Sequence, residues 1–226
     1  EQLKEDLQLK SSPRKIEAFD ISHLGGTNTV ASMVSFFDGK PKKNEYRKYN
    51  IKTVEGIDDF ASMREVVLRR YSRVKKEGLG FPDLILIDGG KGQLSMAVSA
   101  LRELGLEYIT VIGIAKRLEE VFVPGHSDPQ NIPKSSSGLI LLRRIRDEAH
   151  RFAITFQRTK RKKTSLKSVF DDIAGMGPSR VKKIMKDFNG IDEIASLDPQ
   201  AIKEKSGIPI SIAKEVVRIA KKTNLA

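Results

Sequence analysis

Two short, largely apolar runs constrain this chain most. Leu84-Ile85-Leu86-Ile87 is the first; residues 109–115 (Ile-Thr-Val-Ile-Gly-Ile-Ala) are the second. Runs this short, bounded by turn residues, read as strands covered on both faces. Asp88-Gly89-Gly90 breaks the first, a helical stretch follows to about Leu104, and Gly105 stops it. Strands joined by a helix run parallel through a crossover.

The residues before these runs add a meander. Residues 16–23 and 29–37 read as two strands, Asp38-Gly39 as a hairpin turn, and a third strand follows to about Tyr49. A helix opens at Asp58-Asp59, with Ile57, Phe60, Met63, Val67, Tyr71 and Val74 as its apolar face, and ends at Gly78 and Gly80. Residues 124–138 are loop-like, and 138–142 read either as a short strand or as the lead into a helix. A last helix runs from Arg144 to about Gln157, with Ile145, Ala149, Phe152, Ala153 and Phe156 toward the core. Three meandering strands, then helix, strand, helix, strand, helix, predict an α/β fold: an RNase H-like mixed sheet with flanking helices.

Residues 158–163 (Arg-Thr-Lys-Arg-Lys-Lys) hold no apolar side chain and read as a solvated linker or basic arm. The expected division is therefore a domain over 1–157, a basic linker over 158–165 and a small all-α domain over 166–226, its short helices broken at Gly175, Gly190 and Gly207. Charge follows the same division. Residues 158–226 carry 16 Lys and Arg against 8 Asp and Glu, a net of +8 out of +12 for the chain. A basic module beside a nearly balanced one suggests a polyanion binder. The absence of Cys excludes a disulfide framework, a zinc finger and a thiol nucleophile, and fits a reducing compartment. No apolar run reaches the ~18 residues of a membrane span. Glu1-Gln2-Leu3-Lys4 opens no signal peptide, and a first residue other than Met reads as a piece of a longer protein.

Asp20 interrupts an otherwise apolar first strand, and Asp88 ends the fourth. An acid in a central strand costs several kcal/mol unless paired, bound to a cation or at the rim. Ligand sites of α/β sheets lie at the carboxyl ends of strands, where adjacent parallel strands would bring these two together. Turn chemistry explains Asp88 taken alone, and backbone donors could satisfy Asp20. As a pair, their hard oxygens suit Mg²⁺ or Mn²⁺. His150 flanks the apolar stripe of the last helix and joins the pair only if that helix packs over the sheet edge. Asp59 is either a further site carboxylate or, with Asp58, a helix cap. Glu119, Glu120, His23 and His126 are spare candidates.

In the tail, Gly175-Met176-Gly177 is a tight turn before Pro178, which suits a first helical turn. Such turns point backbone N–H groups at phosphate, with Arg180, Lys182 and Lys183 adding charge. Residues 206–218 repeat the idea around Gly207, with Pro209 where a second glycine would stand. A plain helical hairpin packing small residues is the alternative.

Phe19-Asp20-Ile21-Ser22-His23, Ile87-Asp88-Gly89-Gly90-Lys91-Gly92-Gln93 and Glu148-Ala149-His150-Arg151-Phe152-Ala153, in this order, resemble the C-terminal half of UvrC. That family is the incision subunit of bacterial nucleotide excision repair, and the resemblance covers about residues 14 to 220. It implies an RNase H-like endonuclease followed by tandem helix–hairpin–helix motifs. The implied activity is a divalent-metal-dependent 5′ incision beside a lesion, in the cytoplasm. The family's catalytic Asp, Asp and His fall on Asp20, Asp88 and His150, and a further carboxylate falls on Asp59. The implied DNA contacts are Gly175, Gly177, Arg180, Lys182, Lys183 and Gly207. The implied partners are damaged double-stranded DNA and UvrB, with UvrA acting upstream and no membrane. The family's GIY-YIG nuclease and UvrB-binding segment have no match here, so a C-terminal fragment is expected. Two rivals stand beside this reading. An RNase H-type ribonuclease is disfavoured by the paired hairpins, and an inactive DNA-binding scaffold by the intact Asp20, Asp88 and His150.

Overall fold

A computed structural model describes residues 1–24, 28–115, 119–170, 173–188 and 190–224, with backbone alone at 24, 28, 156–169 and 224. The chain divides into two compact units, Glu1–Gln157 and Arg158–Ala226.

The first unit opens with α1 (Gln2–Asp6), then β1 (Lys15–Leu24), β2 (Asn28–Phe37), β3 (Lys40–Pro41), a 3-10 turn over Lys43–Glu45, and β4 (Arg47–Asn50). Then come α2 (Asp59–Lys76), β5 (Leu84–Asp88), α3 (Lys91–Glu103), β6 (Thr110–Ile114), β7 (Val121–Phe122) and α4 (Ser137–Phe170). The described strands form one seven-stranded mixed sheet, β3-β2-β1-β5-β6-β7, with β4 also pairing β2. β1 and β2 are antiparallel, while β1, β5 and β6 run parallel, as helix crossovers require.

Asp38 and Gly39 both have positive φ, at 48° and 72°, which gives the two-residue turn whose twist matches its flanking strands. The third strand of the meander is split into β3 and β4. Pro41 cannot donate to a ladder, and the 3-10 turn follows it. Residues 138–142 belong to α4 and not to a strand. β7 escaped the sequence pattern because two residues carry no periodicity.

The linker expected over 158–165 is helical: α4 continues through it to Phe170. No Gly or Pro lies between Gly138 and Gly175, and Lys and Arg are good helix formers even where nothing apolar packs. Phe156, expected in the core, lies outside the described side chains.

Each sheet face is buried by period-2 alternation. Phe19, Ile21, Met33, Ile85, Ile87 and Val111 pack beneath α2 and α3. Ile16, Ala18, Val34, Leu84, Leu86, Ile112 and Ile114 pack against α1 and α4, through Leu3, Leu142, Ile145 and Ala149. No helix among the described residues is long and apolar enough to cross a membrane.

The second unit contains the short helices α5 (Pro178–Asp187), α6 (Ile191–Ser196), α7 (Pro199–Ser206) and α8 (Ile210–Asn224). Its own core includes Phe170, Ile184, Phe188, Ile202 and Val216.

Candidate active site

Strand parity brings the two acids together. β1 and β5 pair in parallel, with Phe19 beside Ile87. Ala18 and Leu86 face α4, so the next residue of the same parity on each strand, Asp20 and Asp88, faces α4 too. Both are buried, at 1% and 4% exposure. α4 is held over this face by Ile145 and Ala149, and the Ser32 hydroxyl donates to the Ala149 carbonyl at 3.1 Å. The next residue, His150, carries Nδ1 to 3.4 Å from Asp20 Oδ2. Asp20, Asp88 and His150 each offer a ligand atom within 4.8 Å of the others. Ser22 also donates to Asp20 Oδ2, at 3.1 Å.

Two carboxylates this close, almost out of water, repel each other and call for positive charge. Carboxylate oxygens with one imidazole are a donor set that fits a divalent cation. The His150 side chain is 49% exposed, so the cluster opens to solvent on the α4 side.

Arg146 lies one turn before His150. Burial works against its charge, but the hydrogen bond to Asp147 and the fields of Asp147, Glu119 and Asp88 raise its pKa above the usual arginine value. Glu119 is taken up by α4, bonding Arg143 at 2.5 Å and Arg146 at 3.5 Å. Glu120 contributes its carbonyl to a backbone bond from Ala115. His126 is exposed, with Nδ1 3.3 Å from the Pro124 carbonyl. None of these three belongs to the metal-competent group.

Asp59 also stands apart from that group. The helix cap is Asp58, whose carboxylate accepts from the Phe60 and Ala61 N–H groups. Asp59 instead meets His23 Nε2 at 2.5 Å, and His23 Nδ1 lies 3.0 Å from the Thr29 hydroxyl. This chain ties the start of α2 to the ends of β1 and β2. His23 thus bonds Asp59 and is not among the three residues of the metal-competent group.

The sequence reading missed a buried ion pair beneath α2. Glu17, fully buried in β1, accepts from Arg70 at 2.7 and 3.1 Å and from the Tyr71 hydroxyl at 3.0 Å. The available signal was a Glu at core parity in an apolar strand, with an Arg beside the apolar stripe of α2.

In the second unit, Gly175 has φ +80°, open to glycine at little cost, and its carbonyl accepts from Arg180 at 2.5 Å. Gly177 precedes Pro178 as the N-cap of α5. Gly207 caps α7, and a Cβ there would lie 3.2 Å from Lys183 Nζ, so Lys183 reaches across to the second turn. Lys182 is exposed.

Residues 4–154 match the model of the UvrC RNase H endonuclease domain. The UvrABC system protein C of Cytophaga hutchinsonii is 54% identical over 194 residues, covering 85% of this chain and 33% of that protein. That of Christiangramia forsetii is 51% identical over 207 residues, covering 91% and 35%. The chain thus spans about a third of the length of the curated relatives it matches. A structure of Ciona intestinalis endonuclease V with DNA shares 19% identity over 54% of this chain and 52% of that one, at a TM-score of 0.37, a likeness too distant to bear on chemistry. With the family model covering the α/β unit and relatives above 50% identity covering most of the chain, this chain belongs to the UvrC RNase H endonuclease domain family.

Proposed function

We propose that the first unit hydrolyses a DNA phosphodiester bond, making the 5′ incision beside a lesion in nucleotide excision repair, with Mg²⁺ or Mn²⁺ held by Asp20, Asp88 and His150. The observation that carries this reading is the convergence of the three ligand atoms within 4.8 Å, at the carboxyl ends of two parallel strands. A bound divalent cation supplies charge neutralisation at the phosphate and activation of water. The chain supplies the rest. Asp20 and Asp88 are anchored on the two central strands, so their carboxylates are preorganised and lose little freedom on binding. His150, half in solvent beside Asp20, can complete the ligand set or carry a proton to a leaving oxygen. Asp59 acts at a distance, by holding His23 and the carboxyl end of β1.

The helical unit serves as a sequence-independent DNA grip in this proposal. Backbone groups at Gly175, Gly177 and Gly207 and the charges of Arg180, Lys182 and Lys183 would contact phosphates. UvrB and UvrA are the partners that the relatives' name suggests. The test is nicking of duplex DNA carrying a bubble against an RNA–DNA hybrid, each with and without Mg²⁺. Metal-dependent cutting of the DNA substrate is the expected result. Preferential cutting of the hybrid would favour a ribonuclease, and binding without cutting under every condition would favour a scaffold.

A further inference from the structure

The predicted apolar face of α2 is broken at its start. Met63, Val67, Tyr71 and Val74 are fully buried, but Ile57 is 62% exposed and Phe60 53% exposed. Scattered surface apolar residues need no explanation. These two stand together, and their position is specific. The Phe60 ring leans on Gly92 in the first turn of α3: a Cβ at Gly92 would lie 2.4 Å from Phe60 Cε1 and 2.8 Å from Cζ. Gly92 follows Asp88 by four residues. On the other side, the neighbouring Asp59 is bonded to His23, three residues after Asp20. Phe60 is therefore fixed to the chain just past both acid-bearing strand ends. It lies on the α2/α3 side of the sheet edge, while the acid cluster lies on the α4 side.

We propose that Phe60, flanked by Ile57, is a stacking platform for an unpaired nucleobase of the strand being cut. The inference rests on the nuclease reading. A strand whose phosphate meets Asp20 and Asp88 and which crosses the carboxyl edge of the sheet passes next over the first turn of α3, where Phe60 stands. The ring is a half-exposed, flat apolar face with Gly92 behind it. Stacking on an aromatic ring tolerates any base, as an enzyme acting in arbitrary sequence requires. What favours a base over another occupant is the sheet edge shared with the acid pair, where the nuclease reading places the phosphate of the cut strand.

The chain contains no Trp, which makes the test direct. Phe60→Trp in the full chain is a single-tryptophan reporter, titrated with a single-stranded oligodeoxynucleotide in chelator so that cutting plays no part. Base stacking quenches its emission, and an oligonucleotide of equal length with abasic sites leaves it bright. Tyr108→Trp is the control: Tyr108 is 71% exposed and precedes the amino end of β6, so its emission should not distinguish the two oligonucleotides. Phe60→Ala, checked for an unchanged melting temperature, should bind the base-bearing oligonucleotide about tenfold more weakly. Equal quenching by the abasic oligonucleotide overturns the proposal. So does unchanged Phe60→Trp emission at oligonucleotide concentrations up to and beyond saturation by anisotropy, or at the highest concentration if none binds. Because the titration needs no catalysis, quenching without nicking would sink the nuclease reading alone, and nicking without quenching would sink the platform alone.

Discussion

Single residues divide here into those that hold charge for chemistry and those that hold charge for the fold. Asp20→Ala or Asp88→Asn should bring metal-dependent nicking to background while leaving DNA affinity intact or slightly higher, since a repulsive anion is lost. Calorimetric titration with Mn²⁺ should lose its signal in the same variants. His150→Ala should keep its melting temperature, because the side chain is half in solvent, and lose nicking. Wild-type nicking by that variant would make His150 an ordinary surface residue. Glu17 and Arg70 are the opposite kind. Arg70→Met leaves Glu17 charged, fully buried and short of its guanidinium, which should cost about 3–5 kcal/mol in urea unfolding. Adding Glu17→Met should restore most of that loss, and a double variant as unstable as the single one would show that the pair does more than neutralise itself. Asp20 and Asp88 were legible as a pair at the carboxyl ends of neighbouring parallel strands, whereas Glu17, in the same strand as Asp20, lies beside Ile85. Arg70 was not legible, because an arginine on a helix reads as solvated until the strand beneath it supplies Glu17.

α2 concentrates the element-scale physics. Its cap is Asp58, so Asp58→Ala should lower stability by about 1 kcal/mol. Asp59→Ala should leave the cap untouched and instead release His23, reducing nicking more than stability. Equal stability losses in a thermal melt would make both residues caps. Further along α2, Glu65 receives the Lys52 and Thr53 N–H groups, the Thr53 hydroxyl and Arg69, pinning residues 52–53 to the helix. Burial opposes its charge, but these bonds prevail and hold its pKa below the usual glutamate value. A folded-state pKa below the unfolded one means stability that is present above the unfolded pKa and lost as pH falls through the folded pKa. Glu65→Gln should therefore be less stable at neutral pH, with the difference from wild type shrinking in acid. A constant difference between pH 7 and pH 3 would refute the linkage. The exposed Phe60 belongs to this scale as well. A period of three and four residues marks an apolar face but cannot say where along the helix the neighbouring elements stop covering it.

At the scale of the molecule, each unit has its own core. Among the described residues, both apolar clusters of the first unit reach no further along the chain than Phe152, and the second unit closes around Phe170 and its short helices. Residues 1–157 alone should therefore fold, with melting close to that of the unit in the full chain. If the helical unit is the DNA grip, this truncation should bind bubble DNA more weakly, with a flatter dependence of log affinity on log salt, because fewer phosphate contacts release fewer counterions. Identical affinity and slope would move the grip onto the first unit.

The amino-acid sequence by itself determined the central strands β1, β2, β5 and β6 and the candidate acids. Strand parity, turn residues and helical period are local, and each can be read within ten or so residues. The same locality let Asp38-Gly39 announce its hairpin and let Asp20 and Asp88 point to one face. Only the tertiary structure decided which helix covers which acid, and so placed His150 beside Asp20 and paired His23 with Asp59 across 36 residues of chain. The run of α4 through the basic stretch at 158–163 was local as well, set by good helix formers with no Gly or Pro among them, although the lack of apolar side chains had suggested a break. The two pairings have one physical reason. Helix propensity and charge do not record what lies across the sheet, and a polar side chain takes its role from a partner brought by packing rather than by sequence.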